Sequence, residues 1–258
     1  MTRSAGSGSL DPLLNKLQKY ITLSREEVGL LREMRAQRRD FQPGEAILEK
    51  DREFEASYWM AAGWAYSYRM LDDGRRQIIN FILPGDFIGF YGFLFRRAEF
   101  SVEALTKVSV TPYDPQMVLD LCQHHPRLFM AISWATTRDE FMIRERLVSL
   151  GRRSAVERVS HFLAEMQKRL ELLGYASEER YAMPLTQELV ADTLGLSVVH
   201  VNRTLKTLRK RGLVTIADRE VHILAPERLR EQAEFDTSYL RQRPAAPKAL
   251  ARAAIDPR

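Results

Sequence analysis

The chain has 258 residues, 45% of them hydrophobic, and a formal net charge of +5. That length allows two domains with real cores, and no apolar run approaches the roughly 18–20 residues that a membrane span needs. Of 39 Lys and Arg and 34 Asp and Glu, residues 1–150 hold 20 of each sign and residues 151–258 hold 19 and 14, so the positive excess lies in the C-terminal part, as suits a polyanion partner. A single cysteine, Cys122, rules out an intrachain disulfide and fits a cytoplasmic protein.

In chain order, the Gly/Ser-rich start MTRSAGSGSL lacks the apolar core of a signal peptide, and residues 1–12 are expected to be disordered. Leu13 to Gln37 reads as short helices. From Phe41 to Pro115, short apolar and aromatic runs are punctuated by Pro43-Gly44, Gly63, Asp72-Asp73-Gly74, Pro84-Gly85, Gly89 and Gly92. Residues 64–69 and 77–81 flank Asp72-Asp73-Gly74 as the arms of a hairpin, and strands at this spacing build a small barrel or roll. After Pro126 the apolar period lengthens: Phe129, Ile132, Thr136, Ile143, Leu147 and Leu150 fall at helical spacings up to Gly151. A helix of about two dozen residues exceeds the usual ~11–12, and its stripe points to a dimer coiled coil. Gly151-Arg152-Arg153 interrupts it, and Ser154-Ala155-Val156-Glu157 has the pattern of a capping box that starts the next helix. Cys122 is expected to be buried near the start of the dimer helix.

Residues 185–213, LTQELVADTLGLSVVHVNRTLKTLRKRGL, encode two short helices and a tight turn. Thr186 and Ser197 are N-cap candidates, Ala191 is small where helices approach, and Gly195 sits where the turn needs positive φ. Val201, Leu205 and Leu208 form one apolar stripe, Arg203, Lys206, Arg209, Lys210 and Arg211 cover the other sides, and Gly212 lies just past the end. This is the spacing of a DNA-binding helix-turn-helix. Residues 213–224 alternate apolar and polar around Ala217-Asp218-Arg219-Glu220, which makes a wing hairpin. The tail from Arg241 has no packable pattern and is expected to be disordered.

A β-roll containing Pro84-Gly85-Asp86-Phe87-Ile88-Gly89, a long helix, a hinge and a winged helix-turn-helix together resemble the CRP/FNR family of bacterial transcription regulators over about residues 13–225. The resemblance implies an α+β fold: a cyclic-nucleotide-binding-like jelly roll over 13–122, a dimerisation helix over 123–151 and a winged helix-turn-helix over 152–225. Residues 226–258 then hold a short helix and a disordered tail. It implies a homodimer that binds double-stranded DNA and works with RNA polymerase. Phe129, Ile132, Thr136, Ile143 and Leu147 are the expected dimer interface. Val199, His200, Asn202 and Arg203 fall on the family's base-reading positions, and Arg203 is the residue that matches the pattern. Thr186, Ser197, Thr204, Lys206, Arg209, Lys210 and Arg219 are expected on phosphates, where they position the helix.

Where the family's cAMP-binding branch carries a phosphate cassette, this chain offers Gly85, Asp86 and Phe87, with Arg96 and Arg97 nearby as solvated loop residues or a shifted site. Ala98 and Glu99 stand where the phosphate-binding Arg-Ser pair is expected, and a glutamate repels a phosphate, so cAMP is not the expected effector. One cysteine excludes the four-cysteine iron–sulfur cluster of the oxygen-sensing branch. All five histidines lie after residue 123, away from the haem positions of other relatives, so no cofactor and no metal is expected. No Ser/His/Asp set, P-loop or GxGxxG motif supports an enzyme. A sensor module that acts through protein contacts with weak DNA binding is the second reading, and the basic helix argues against it.

Overall fold

The computed structural model describes residues 11–34, 37–53, 56–90, 92 and 97–241. They form two compact units: residues up to Ala65 with Ile82–Thr136, and Tyr66–Phe81 with the residues from Thr137 onward.

The first unit is a roll. Strands β1 (Arg39–Phe41), β8 (Val108–Tyr113), β3 (Ser57–Ala62) and β6 (Phe87–Ile88) form an antiparallel sheet in the order β1-β8-β3-β6. Strand β2 (Ala46–Leu48) pairs antiparallel with β7 (Ser101–Ala104). The period-two pattern sends Val102, Ala104, Val108 and Val110 inward, where they meet Phe41, Leu48, Met60 and Ile88 in one core. A second core joins α1 (Pro12–Leu17), α2 (Arg25–Met34), α3 (Pro115–His124) and the start of α4 (Pro126–Arg152) to Trp59, Phe87, Phe90 and Tyr113. Helix α1 starts inside the stretch expected to be disordered: Asp11 accepts the Leu13 N–H, and Pro12 takes the first turn.

Here the chain departs from three expectations. Residues 115–124 form a helix of their own, capped by Asp114, before the long one begins. Cys122, on that helix, is exposed rather than buried. Ile132 is 1% exposed and packs in the core of the first unit, and Phe129 packs against the same core with its ring 6.2 Å from that of Phe90. Ile132 leaves the expected dimer set because its own chain already covers it, whereas Phe129 stays half-buried. Thr136 is half-buried and donates its hydroxyl to the Ser133 carbonyl.

The second unit holds the hairpin of β4 (Ala65–Met70) and β5 (Arg76–Ile82), of which Tyr66–Phe81 belong to it, and the rest of α4. Helix α4 continues through Gly151 to Arg152, so the interruption narrows to Arg153 and Ser154. Gly151 is the second-to-last residue of the helix, and a helical glycine costs only about 1 kcal/mol. Ser154 and Glu157 close a reciprocal capping box on α5 (Ala155–Leu172). Then follow β9 (Arg180–Ala182), α6 (Gln187–Leu194), α7 (Val198–Lys210), β10 (Val214–Ala217), β11 (Glu220–Ile223), α8 (Pro226–Ala233) and α9 (Ser238–Arg241). The three strands form an antiparallel sheet in the order β10-β11-β9. Phe162, Leu163, Val190, Val201, Leu208, Val214 and Val221 are buried in this unit.

Charged side chains fill the junction of α4 and α5. Arg146 donates to Glu165 at 3.0 Å, Tyr239 donates to the other oxygen of Glu165 at 2.8 Å, and Arg153 donates to Glu145 at 2.6 Å. The His161 ring stacks on Tyr239 with centroids 6.4 Å apart, and its Nε2 lies 3.4 Å from Glu145.

Candidate nucleic-acid interface

Helix α6 begins at Thr186, whose Oγ1 accepts the Leu189 N–H, and ends at Gly195 in the left-handed conformation (φ 61°). A side chain at Gly195 would be strained whatever the space around it. Ser197 then accepts the His200 N–H and starts α7. Val201 and Leu208 are fully buried and Leu205 half-buried, so the apolar stripe faces inward as its spacing predicts. Val199 is 78% exposed, Arg203, Lys206, Arg209 and Lys210 are exposed, and His200 and Asn202 are half-buried beside them. The helix therefore presents two apolar residues, Val198 and Val199, the polar His200 and Asn202 and four cations, with no carboxylate of its own.

The wing completes a groove. In the β10–β11 turn, Asp218 and Arg219 both have positive φ, 50° and 60°, as a two-residue type I′ turn requires. Between wing and helix lies a groove of about 440 Å3, lined among others by Thr186, Asn202, Lys206, Arg209 and Arg219. Those residues come from α6, α7 and the wing turn. The groove also includes Gln187 and Thr215, polar residues that the sequence reading passed over. Gln187 carries a signal after all: it is the first residue of α6, where free backbone N–H groups favour an anion.

Thr204 is a correction. It is 3% exposed, on the inward side of α7 between Val201 and Leu208, and a phosphate cannot reach it. Ser197 is exposed at the start of α7, outside the groove's lining.

Among the described residues, Gly85, Asp86 and Phe87, expected at an effector pocket, are taken up by contacts within the first unit. Asp86 is 4% exposed and forms an ion pair with Lys16 of α1 at 2.6 Å, while its other oxygen accepts the Leu83 N–H at 2.9 Å. Gly85 (φ 88°) lies against α1, where an added Cβ would sit 2.9 Å from the Pro12 carbonyl oxygen. Phe87 is in the apolar core with Phe90 and Tyr113. Arg97 is exposed and its backbone pairs with that of Glu53, Ala98 is buried in the core of the roll, and Arg96 lies outside the described residues. Among the described residues, no group of three or more His, Cys, Asp or Glu is placed to hold a metal ion. No described helix is long and apolar enough to cross a membrane.

Capped α6, glycine turn, basic α7 and wing define a winged helix-turn-helix protein. Known proteins carry the same parts. Residues 38–125 match the family model described as a cyclic nucleotide-binding domain, and residues 157–232 match the Crp-like helix-turn-helix domain. The transcriptional activatory protein AadR of Rhodopseudomonas palustris is 33% identical over 193 residues, 75% of this chain and 80% of that protein. The solved structure of FixK2 from Bradyrhizobium japonicum superposes with a TM-score of 0.69 at 26% identity, covering 82% of this chain and 98% of that one. A CRP/FNR-family transcriptional regulator from Thermus thermophilus shares the fold, with a TM-score of 0.54 at 22% identity over 77% of this chain and 99% of that one. The chain belongs to the CRP/FNR family, as a DNA-binding transcription regulator.

Proposed function

We propose that the protein acts as a homodimer that reads a near-palindromic duplex site with α7 of each copy. The observation that carries this is the exposed face of α7, four cations with Val199 and Asn202, opening onto a groove that Thr186 and Arg219 flank. Arg203 suits a guanine, because its fork meets O6 and N7 together. Asn202 suits an adenine, His200 either a base or a phosphate, and Val199 a thymine methyl. Thr186, Lys206, Arg209, Lys210 and Arg219 hold phosphates and set the register, and Ser197 meets one at the N-terminus of α7.

The dimer contact falls on the second half of α4, where Ile143, Leu147 and Val148 are 44%, 71% and 51% exposed. Large apolar residues left in solvent mark an interaction site, and Ile143 and Leu147, four residues apart, share one face of the helix. The protein works in the cytoplasm with RNA polymerase as partner, and it performs no catalysis. Cyclic AMP is not its effector, since Asp86 is taken by Lys16 and Glu99 adds a negative charge.

The test is selection of duplex DNA from a random pool by the full-length protein. A near-palindrome with half-sites about 34 Å apart, one helical turn, supports the reading. Enrichment of no sequence, or of a single asymmetric element, overturns it.

A further inference from the structure

Helix α6 must end abruptly at Gly195, and its last carbonyls then need donors from elsewhere. Two side chains supply them. Arg158 of α5 donates to the Leu194 carbonyl at 3.1 Å. Gln77 of β5 donates its Nε2 to the Thr193 carbonyl at 3.2 Å. Beside it, Arg76 donates Nε to Oδ2 of Asp192 at 2.9 Å, with the two side chains 21% and 23% exposed. Arg76 is itself held from behind: Nη1 donates to the Tyr66 hydroxyl at 3.0 Å, and its guanidinium stands over the Tyr66 and Tyr68 rings at 5.3 and 5.8 Å.

The other end of the hairpin is also fixed. Arg169 of α5 donates to Oδ1 of Asn80 at 3.1 Å and to the Phe81 carbonyl at 2.6 Å, and the Phe81 ring lies 5.9 Å from that of Phe162. The hairpin therefore grips α5 at one end and the C-terminal end of α6 at the other. It does so without covering the reading face, since Val199 and Arg203 stay exposed.

We infer that Arg76 and Gln77 are positioning residues for DNA reading, and that the β4–β5 hairpin is a third support of the helix-turn-helix beside α5 and the wing. This rests on the DNA-reading function proposed above. The leverage is geometric. Helix α7 has 13 residues and is about 20 Å long. A tilt of roughly 10° at its start moves its far end by roughly 3 Å, enough to break a hydrogen bond to a base edge. Because α6 sets where α7 begins, the contacts at Asp192 and Thr193 fix that angle.

The test uses the full-length chain with Arg76→Glu, Asp192→Arg, the double variant and Gln77→Ala, which deletes one hydrogen bond to α6 and one within β5. Amide exchange over residues 187–210 is measured without DNA, and the ratio of selected-site to random-DNA affinity is measured with it. The ratio cancels the bulk charge effects of the two substitutions, which have opposite signs. Each charge variant is expected to speed exchange across α6 and α7 and lower the ratio about tenfold, the loss of one charged hydrogen bond. Gln77→Ala gives the same change at smaller size, and the double variant recovers most of it. Exchange and ratio unchanged in the single variants, or a double variant no better than either, overturns the inference. A wild-type protein that prefers no sequence overturns the DNA-reading function instead, and exchange still decides the role of the hairpin.

Discussion

Two nitrogen-bearing side chains converge on one oxygen of Glu145. His161 Nε2 lies 3.4 Å from it and Arg153 donates to it at 2.6 Å. These contacts, His161 first, lower the Glu145 pKa from 4.5 to about 2, against the opposing effect of partial burial. At fully buried Glu165, burial alone would raise the pKa, but Arg146, Arg169 and His161 together outweigh it and the carboxyl is lowered. A lowered folded-state pKa means that the fold favours the charged form. The contribution of Glu145 is complete above about pH 4.5 and is lost as pH falls towards 2. The gap in unfolding midpoint between wild type and Glu145→Gln is therefore expected to shrink as pH falls from about 4.5 towards 2. A gap that does not change with pH contradicts this. Lys206 is exposed on the groove, so Lys206→Ala is expected to weaken all duplexes alike and reduce the magnitude of the slope of log K against log salt by about 0.9, one released counterion. A loss confined to the selected site would make it a base contact. At this scale local chemistry was legible: Thr186, Gly195, Ser197 and the Ser154–Glu157 box stand where their spacing put them. Thr204 was misread although it lies three residues after Val201 and four before Leu208, on the stripe itself. Asp86 was not legible, because its partner Lys16 is 70 residues away.

Among the elements, α4 does two jobs that one period conceals. Its first half supplies Leu128, Ala131 and Ile132 to the core of the first unit, and its second half leaves Ile143, Leu147 and Val148 facing solvent. A helical apolar stripe says which residues share a face but not what covers that face. Leu147→Asp is expected to raise the dimer dissociation constant by roughly a hundredfold or more, as each copy loses about 1.5–3 kcal/mol of apolar burial. Sedimentation at micromolar concentration checks this, and a monomeric wild type rules out the interface. Helix α3 went unread for a related reason: its apolar run is short, directly follows a strand, and a short apolar run fits either element. The wing hairpin was legible from alternation alone, although its turn is Asp-Arg rather than Asn-Gly.

For the whole molecule, the order of roll, long helix and winged helix-turn-helix was legible because each part has its own period: two, then 3.6, then two capped helices and a hairpin. The grouping of the β4–β5 hairpin with the C-terminal unit was not, since Arg76 and Asp192 are 116 positions apart and neither belongs to a motif. The central claim is that α7 reads bases through Arg203 in a two-fold site. Its most direct test repeats the selection from random duplex DNA with Arg203→Ala and compares the recovered site with that of the wild type. The account predicts relaxed choice at one base pair in each half-site, placed symmetrically, with a loss of about 1–3 kcal/mol per lost base contact on the original site. An equal loss on original and random DNA, with the base preferences intact, would make Arg203 a phosphate contact and contradict the account.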